Sequence, residues 1–173
     1  MNVLELFKSV TTFIFDMDGV LTNGQVLTLS GDAMIRSMNV KDGYAISFAV
    51  KNGYHVAVIS GGKAPEAAER LKYLGIKHIY MQVHNKPECM NKLLQENGLT
   101  PQEVLFMGDD IPDYAAMQQV MLPCCPADAV AEIKSISKYI SPFKGGEGCV
   151  RDVIEKVMKL QDKWHNDSYV RSQ

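Results

Sequence analysis

Short apolar runs recur along this chain, and each is apolar through its length rather than on alternate residues. They lie at 11–15 (TTFIF), 55–59 (HVAVI) and 103–107 (EVLFM), with a further strand at 77–81 (KHIYM). A strand with one wet face alternates; a strand apolar throughout has both faces covered, as parallel strands do. Between the runs lie helical patterns at 45–51, 65–74, 87–97 and 111–120. Pro65 and Pro87 stand in first turns, and Gly53, Gly75 and Gly98 lie past the ends. Shorter strands are expected at 122–125 and 139–140, and helices at 127–136 and 150–164. Strand–helix alternation of this kind predicts an α/β fold, a doubly wound parallel sheet.

One feature is antiparallel. Residues 26–29 and 34–38 flank the turn cluster Ser30-Gly31-Asp32 and predict a β-hairpin between the first strand and the first helix. With 173 residues, the chain is expected to form a single domain over 1–164, with a hairpin flap at about 25–38 and a loose polar tail at 165–173. Eighteen basic against twenty acidic residues leave a net charge of −2, and no basic run marks a nucleic-acid or membrane-surface partner. No apolar run approaches the ~20 residues of a membrane span. Residues 1–7 lack the basic region and long apolar core of a signal peptide. Cys89, Cys124, Cys125 and Cys149 form no CxxC pair and read as reduced, mostly buried thiols of a cytoplasmic protein.

In an open α/β sheet, ligands bind beyond the carboxyl ends of the strands. Asp16-Met17-Asp18-Gly19 follows the first strand, Ser60-Gly61-Gly62 the second, Asn85-Lys86 the third, and Gly108-Asp109-Asp110 with Asp113 the fourth. Carboxylates suit a hard cation such as Mg²⁺. A hydroxyl, amide N–H groups at a helix start and a lysine suit phosphate oxygens. Taken singly, each piece has a plainer reading. Asp16-x-Asp18-Gly19 fits a solvated turn or a glycosyltransferase metal motif, though Val20 breaks the Ca²⁺-loop spacing. Ser60-Gly61-Gly62 fits a turn with a cap, Lys86 a surface residue, and Asp109, Asp110 and Asp113 fit helix-start acids. Together, at successive strand ends, they point to phosphate chemistry. His55, His78, His84 and His165 show no metal-ligand spacing.

Residues 15–22 (FDMDGVLT), Ser60, Lys86 and 108–113 (GDDIPD) resemble the four motifs of the haloacid dehalogenase superfamily of phosphotransferases. Residues 39–44 (NVKDGY), 69–71 (ERL) and the Gly145-Gly146-Glu147-Gly148-x-x-Arg151 stretch narrow the resemblance. They are similar to the 3-deoxy-D-manno-octulosonate 8-phosphate (KDO 8-phosphate) phosphatase family, over roughly residues 8–160. The resemblance implies a Rossmann-like core and an aspartyl-phosphate mechanism with Mg²⁺. Asp16 would be the nucleophile and Asp18 the general acid and base, while Ser60, the Gly61 N–H and Lys86 would hold phosphate oxygens. Metal ligands would be the Asp16 carboxylate, the Asp18 carbonyl and the Asp109 carboxylate, with Asp110 and Asp113 around them. The sugar pocket would be lined by Asn39, Val40, Lys41, Asp42, Gly43, Gly62 and Arg70.

Members of this family often carry Arg or Glu where Gly62 stands. The departure bears on substrate identity, with a nine-carbon keto-deoxy sugar phosphate as the alternative to KDO 8-phosphate, a lipopolysaccharide precursor. A receiver-like signalling module is the competing class, although receivers place their acid pair first and this chain places it last. The 41 residues between Asp18 and Ser60 and the 25 between Ser60 and Lys86 hold no cap domain. An uncapped site suits a macromolecular substrate or cover by another chain; with the partly apolar hairpin (Val26, Leu27, Leu29, Met34, Ile35) it predicts a homo-oligomer, with a tetramer favoured by the resemblance.

Overall fold

The computed structural model describes residues 2–29 and 34–172. A short helix α1 (Val3–Lys8), capped by Asn2, leads into β1 (Thr12–Phe15). The hairpin strands are β2 (Leu27–Thr28) and β3 (Met34–Ile35), antiparallel, with an outlying bridge between Thr22 and Met38. The expected turn residues Ser30-Gly31-Asp32 lie outside the described residues. Then come α2 (Val40–Lys51), β4 (His55–Ile59), α3 (Pro65–Tyr73), β5 (His78–Tyr80), α4 (Lys86–Glu96) and β6 (Val104–Met107). The chain finishes with α5 (Tyr114–Met117), β7 (Leu122–Cys125), α6 (Ala131–Ile136), β8 (Tyr139–Ile140) and α7 (Cys149–Leu160).

Six strands form one parallel sheet in the order β5-β4-β1-β6-β7-β8. From β1 the chain winds outward to β5, then returns to build β6, β7 and β8 on the other side, which is the doubly wound pattern. Strand side chains alternate between two cores. Phe13 and Phe15 of β1 with Leu105 and Met107 of β6 join the core under α2, α3 and α7. Ile14 and Phe106, one residue out of phase, join the core under α4, α5 and α6. Both sets are fully buried, so β1 and β6 are covered on both faces. The register places Phe15 beside Val58 and Met107, and the Asp16 N–H donates to the Met107 carbonyl at 3.0 Å. The first residues past β1, β4 and β6 therefore emerge side by side.

Several local expectations change; α6 begins at Ala131 rather than 127, and α7 ends at Leu160 rather than 164. The helix expected from 45 is α2 and begins at Val40, because the Asn39 side chain accepts from the Lys41 N–H and caps it. The helix expected over 111–120 is a 3₁₀ turn (Ile111–Asp113) followed by α5. The polar tail is pinned, not loose. Tyr44 Oη donates to the Asp167 carbonyl at 2.9 Å, Lys51 pairs with the Asp167 carboxylate, and Val170 packs on the core.

Asp42, in the first turn of α2, faces α7. Its Oδ1 accepts the Arg151 N–H at 2.7 Å in the first turn of α7, while Oδ2 is buried with no partner. Burial pushes this carboxyl up to about 6, against the Arg151 hydrogen bond that lowers it. An acid whose folded-state pKa lies above its unfolded value supports stability below the unfolded value and loses that support as pH rises through the folded one. The Asp42 contribution is therefore full below pH ~4 and gone above ~6 to 7, at most about 3 kcal/mol. We expect Asp42→Asn to gain stability relative to the parent as pH rises across that window, read by urea unfolding at pH 4.5 and 7.5. A difference that does not change with pH contradicts it.

Candidate active site

Asp16 is the first residue past β1 and is buried. Lys86 opens α4, set by Asn85, whose side chain accepts the Glu88 N–H at 3.2 Å. The buried Lys86 Nζ donates to Asp16 Oδ1 and Asp113 Oδ1, each at 2.7 Å. Burial alone would lower the Lys86 pKa; Asp113 and Asp16 outweigh it and hold the ammonium above its ordinary range. Asp113 spends its other oxygen on the Asp109 N–H at 3.1 Å. Both Asp113 oxygens are thus occupied, which makes it a brace between Lys86 and the loop after β6.

Asp109 behaves differently. Its Oδ1 is buried without a hydrogen-bond partner. Oxygens of Asp16, Asp109 and Asp113 lie within 4.8 Å of one another. Burial first, then the charges of Asp16, Asp113 and Asp110, push the Asp109 carboxyl up to about 8. Burial and Asp113 raise Asp16 to about 6 against the pull of Lys86. Three carboxylates against one ammonium form a pocket short of positive charge. An orphaned carboxylate oxygen facing two other acids is a fitting donor set for a hard divalent cation.

Gly19 makes the cluster possible. It has φ +96°, and a Cβ there would overlap the Asp109 carboxylate. Asp18, just before it, has extended backbone (φ −80°, ψ 113°), and its side chain enters the same cavity of about 380 Å³. Ser60, Gly61, Gly62, Lys86, Asp109, Asp110 and Asp113 also line that cavity. Ser60 is buried, and its Oγ accepts the Gly62 N–H at 3.1 Å. Asp110 stands at the exposed rim, capping the Ile111 N–H at 2.7 Å, and makes no hydrogen bond to Lys86. His84, assigned no role in the sequence, contributes to the wall.

The expected sugar-pocket residues scatter. Val40 and Arg70 line an adjoining cavity of about 620 Å³ between the hairpin and α3. Asn39 caps α2 and donates to the Gly146 carbonyl at 3.2 Å. Asp42 is buried against α7, and Lys41 faces a separate groove beside α7. Gly43 lies against the tail, where a Cβ would meet the Ser172 carbonyl at 2.9 Å. Arg36 was missed in the sequence. From β3's end it grips the Asp18 carboxylate with two bonds, Nε–Oδ1 at 2.8 Å and Nη2–Oδ2 at 3.1 Å. No spacing rule connects residues eighteen apart across a hairpin.

Comparison with known proteins places this geometry. The haloacid dehalogenase-like hydrolase family matches residues 39–120. The 3-deoxy-D-manno-octulosonate 8-phosphate phosphatase of Escherichia coli (strain K12) is 32% identical over 162 residues, covering 94% of this chain and 86% of that protein. This chain belongs to that phosphatase family. A crystal structure of the Yersinia pestis phosphatase superposes with a TM-score of 0.90 at 32% identity, covering 93% of this chain and 87% of the other. The Moraxella catarrhalis phosphatase, solved with magnesium ion, phosphate ion and KDO, gives 0.89 at 28% identity, covering 92% of each. The present chain is accordingly a phosphoric monoester hydrolase of the haloacid dehalogenase type that uses Mg²⁺, and the receiver alternative falls.

Proposed function

We propose that this enzyme hydrolyses 3-deoxy-D-manno-octulosonate 8-phosphate to KDO and phosphate, a step in making lipopolysaccharide precursors. The observation that carries the substrate is the match over nearly the whole chain to the Moraxella phosphatase that holds magnesium, phosphate and KDO together. The test is phosphate release with Mg²⁺ from eight- and nine-carbon keto-deoxy sugar phosphates, with hexose phosphates as controls. We expect the eight-carbon ester to give the highest kcat/KM. Preference for the nine-carbon ester, which Gly62 leaves open, would replace the substrate and keep the reaction.

We assign the residue roles on the same reading. Asp16 Oδ attacks phosphorus in line, forming an aspartyl-phosphate as the bond from phosphorus to the sugar oxygen breaks. Asp18 gives its proton to that sugar oxygen, then takes one from the water that releases phosphate from Asp16. Ser60 Oγ, the Gly61 N–H and Lys86 hold the peripheral oxygens, over which charge spreads. The Asp16 and Asp109 carboxylates and the Asp18 carbonyl would hold Mg²⁺, with Asp113 and Asp110 orienting around them. When bound, the ion screens the repulsion between the Asp16 carboxylate and the phosphate dianion. Exhaustive EDTA treatment is therefore expected to abolish turnover, Mg²⁺ to restore it, and Ca²⁺ to restore it poorly, since its looser coordination misplaces the nucleophile. Full activity after chelation contradicts the metal role.

We further read residues 1–164 as one phosphatase domain with a flap at about 25–38, and 165–173 as its tail. Leu27 and Ile35 on the flap are 61% and 53% exposed, with Val26, Leu29 and Met34 beside them. Two two-residue strands cannot support such a patch alone. It suits a closed homotetramer with hairpins packed centrally and each site screened by a neighbour. Ile35→Glu is expected to split the assembly, seen as a fall in light-scattering mass from several times 19.2 kDa, and to lower activity on the sugar phosphate at least tenfold. A fully active monomeric parent contradicts this. No helix among the described residues is long and apolar enough to cross a membrane, and all four cysteines are free, which supports a cytoplasmic location.

A further inference from the structure

The turn that follows β1 is backed by a second loop. Residues 17–22, which include Asp18 and Gly19, form a wide turn closed by the Thr22 N–H on the Met17 carbonyl at 3.0 Å. Residues 145–149, between β8 and the first turn of α7, lie against it backbone to backbone and line no part of the active-site cavity. The Val20 carbonyl accepts the Gly146 N–H at 2.9 Å and the Cys149 thiol at 3.3 Å. Asn39 Nδ2 donates to the Gly146 carbonyl at 3.2 Å, and Asp128 Oδ1 accepts the Gly145 N–H at 2.9 Å. The second loop is thereby tied to the start of α2 and to the segment after β7.

Space makes 145 and 146 glycines. A Cβ at 145 would stand 1.9 Å from the Gly19 carbonyl oxygen and 3.0 Å from the Thr22 carbonyl oxygen; one at 146 would stand 2.6 Å from the Asn23 nitrogen. The Gly145 backbone is outside the left-handed region, so its own conformation does not call for glycine. The demand comes from Gly19, where a Cβ would in turn meet the Asp109 carboxylate. Gly19 is thus pinned between the Asp109 carboxylate and Gly145. Its place fixes the Asp18–Gly19 peptide, whose carbonyl is one of the groups assigned above to Mg²⁺.

We propose that Gly145 and Gly146 are positioning residues for phosphoryl transfer. Their close approach sets where the Asp18–Gly19 peptide lies, and with it the spacing between the Asp18 carbonyl, the Asp18 side chain and the Asp109 carboxylate. The proposal rests on the roles given above to Asp18 and Asp109. Neither glycine touches the substrate; both act through Gly19. A backbone contact anchored by Asn39 and Asp128 passes a displacement on instead of absorbing it, because packed interiors yield little. Misplacing catalytic groups by about 1 Å costs on the order of 10²-fold in rate.

The test compares the parent with Gly145→Ala, Asp128→Ala and Phe7→Leu. Mg²⁺ affinity is read by calorimetry, kcat with the sugar phosphate that the parent uses best, and stability by thermal unfolding. Gly145→Ala must push Gly19 aside, so kcat should fall about 100-fold and Mg²⁺ should bind about tenfold more weakly. Asp128→Ala keeps both glycines and removes an exposed anchor of the loop, so it should weaken both properties in the same direction by less. Phe7→Leu changes the core under α1, at the opposite end of β1, and should lower the melting temperature alone. A folded Gly145→Ala with the parent's kcat and Mg²⁺ affinity overturns the proposal. So do losses in Phe7→Leu as large as those in Gly145→Ala, which would make them effects of stability. If Gly145→Ala does not fold, Asp128→Ala decides, and parent values for both properties overturn the proposal. Mg²⁺ binding that Asp109→Asn leaves unchanged shows instead that the metal assignment beneath the proposal has failed.

Discussion

Asp16→Asn is expected to lower turnover by about 10⁴-fold or more while leaving the melting temperature at or above that of the parent. The amide matches the carboxylate in shape and still offers Oδ1 to Lys86, whose bond to it is 2.7 Å. It cannot attack phosphorus usefully. Stability does not suffer, because Asp16 is one of three carboxylates crowded around one ammonium, and burial with Asp113 already pushes its carboxyl up to about 6. Removing that charge relieves repulsion. Steady-state phosphate release and thermal unfolding, both without and with Mg²⁺, read the two halves. Activity within tenfold of the parent contradicts the nucleophile assignment; a collapse in melting temperature contradicts the electrostatic picture.

Lys86→Met should hurt both properties. The Nζ bonds to Asp16 and Asp113 are the only ion pairs of those two carboxylates among the described residues. Deleting one partner of a buried pair leaves an uncompensated charge, typically at a cost of about 3–5 kcal/mol, reduced here if a carboxyl takes up a proton. Turnover should fall by about 10³-fold, the scale seen when one preorganised donor to a developing anion is removed. The double variant Lys86→Met/Asp113→Asn should be more stable than Lys86→Met alone, since the second change removes the charge that the first orphaned. A double variant less stable than the single one by the full cost of Asp113→Asn contradicts this coupling.

How much of this was legible before the fold was known depends on the range of the interaction. The strands at 12–15, 55–59 and 104–107 announce themselves because burial on both faces demands apolar residues at every position. Asp16, Ser60, Lys86 and Asp109 were readable because strand ends in such a sheet point to one edge. The start of α2 was misjudged by five residues: the cap at Asn39 is followed by Gly43, a weak helix former that hides the first turn. Helix α1 was missed, being six residues long and held by burial of Phe7 rather than by its own pattern. Asp42 looked like a pocket acid because sequence cannot show that α7 arrives to claim its carboxylate. Arg36 was invisible for the same reason, since its meaning lies in Asp18, reached only when the hairpin folds back.

On the proposed mechanism this pocket transfers phosphate covalently through Asp16. The most direct measurement uses the Asp18→Asn variant, which should release phosphate slowly from the acyl-phosphate because the water lacks its base. Mixed with Mg²⁺ and 3-deoxy-D-manno-octulosonate 8-phosphate labelled in its phosphate, then quenched in acid, the variant should carry close to one label per chain. Peptide mapping should place the label on Asp16, and hydroxylamine should remove it. Label on a residue other than Asp16 would contradict that mechanism.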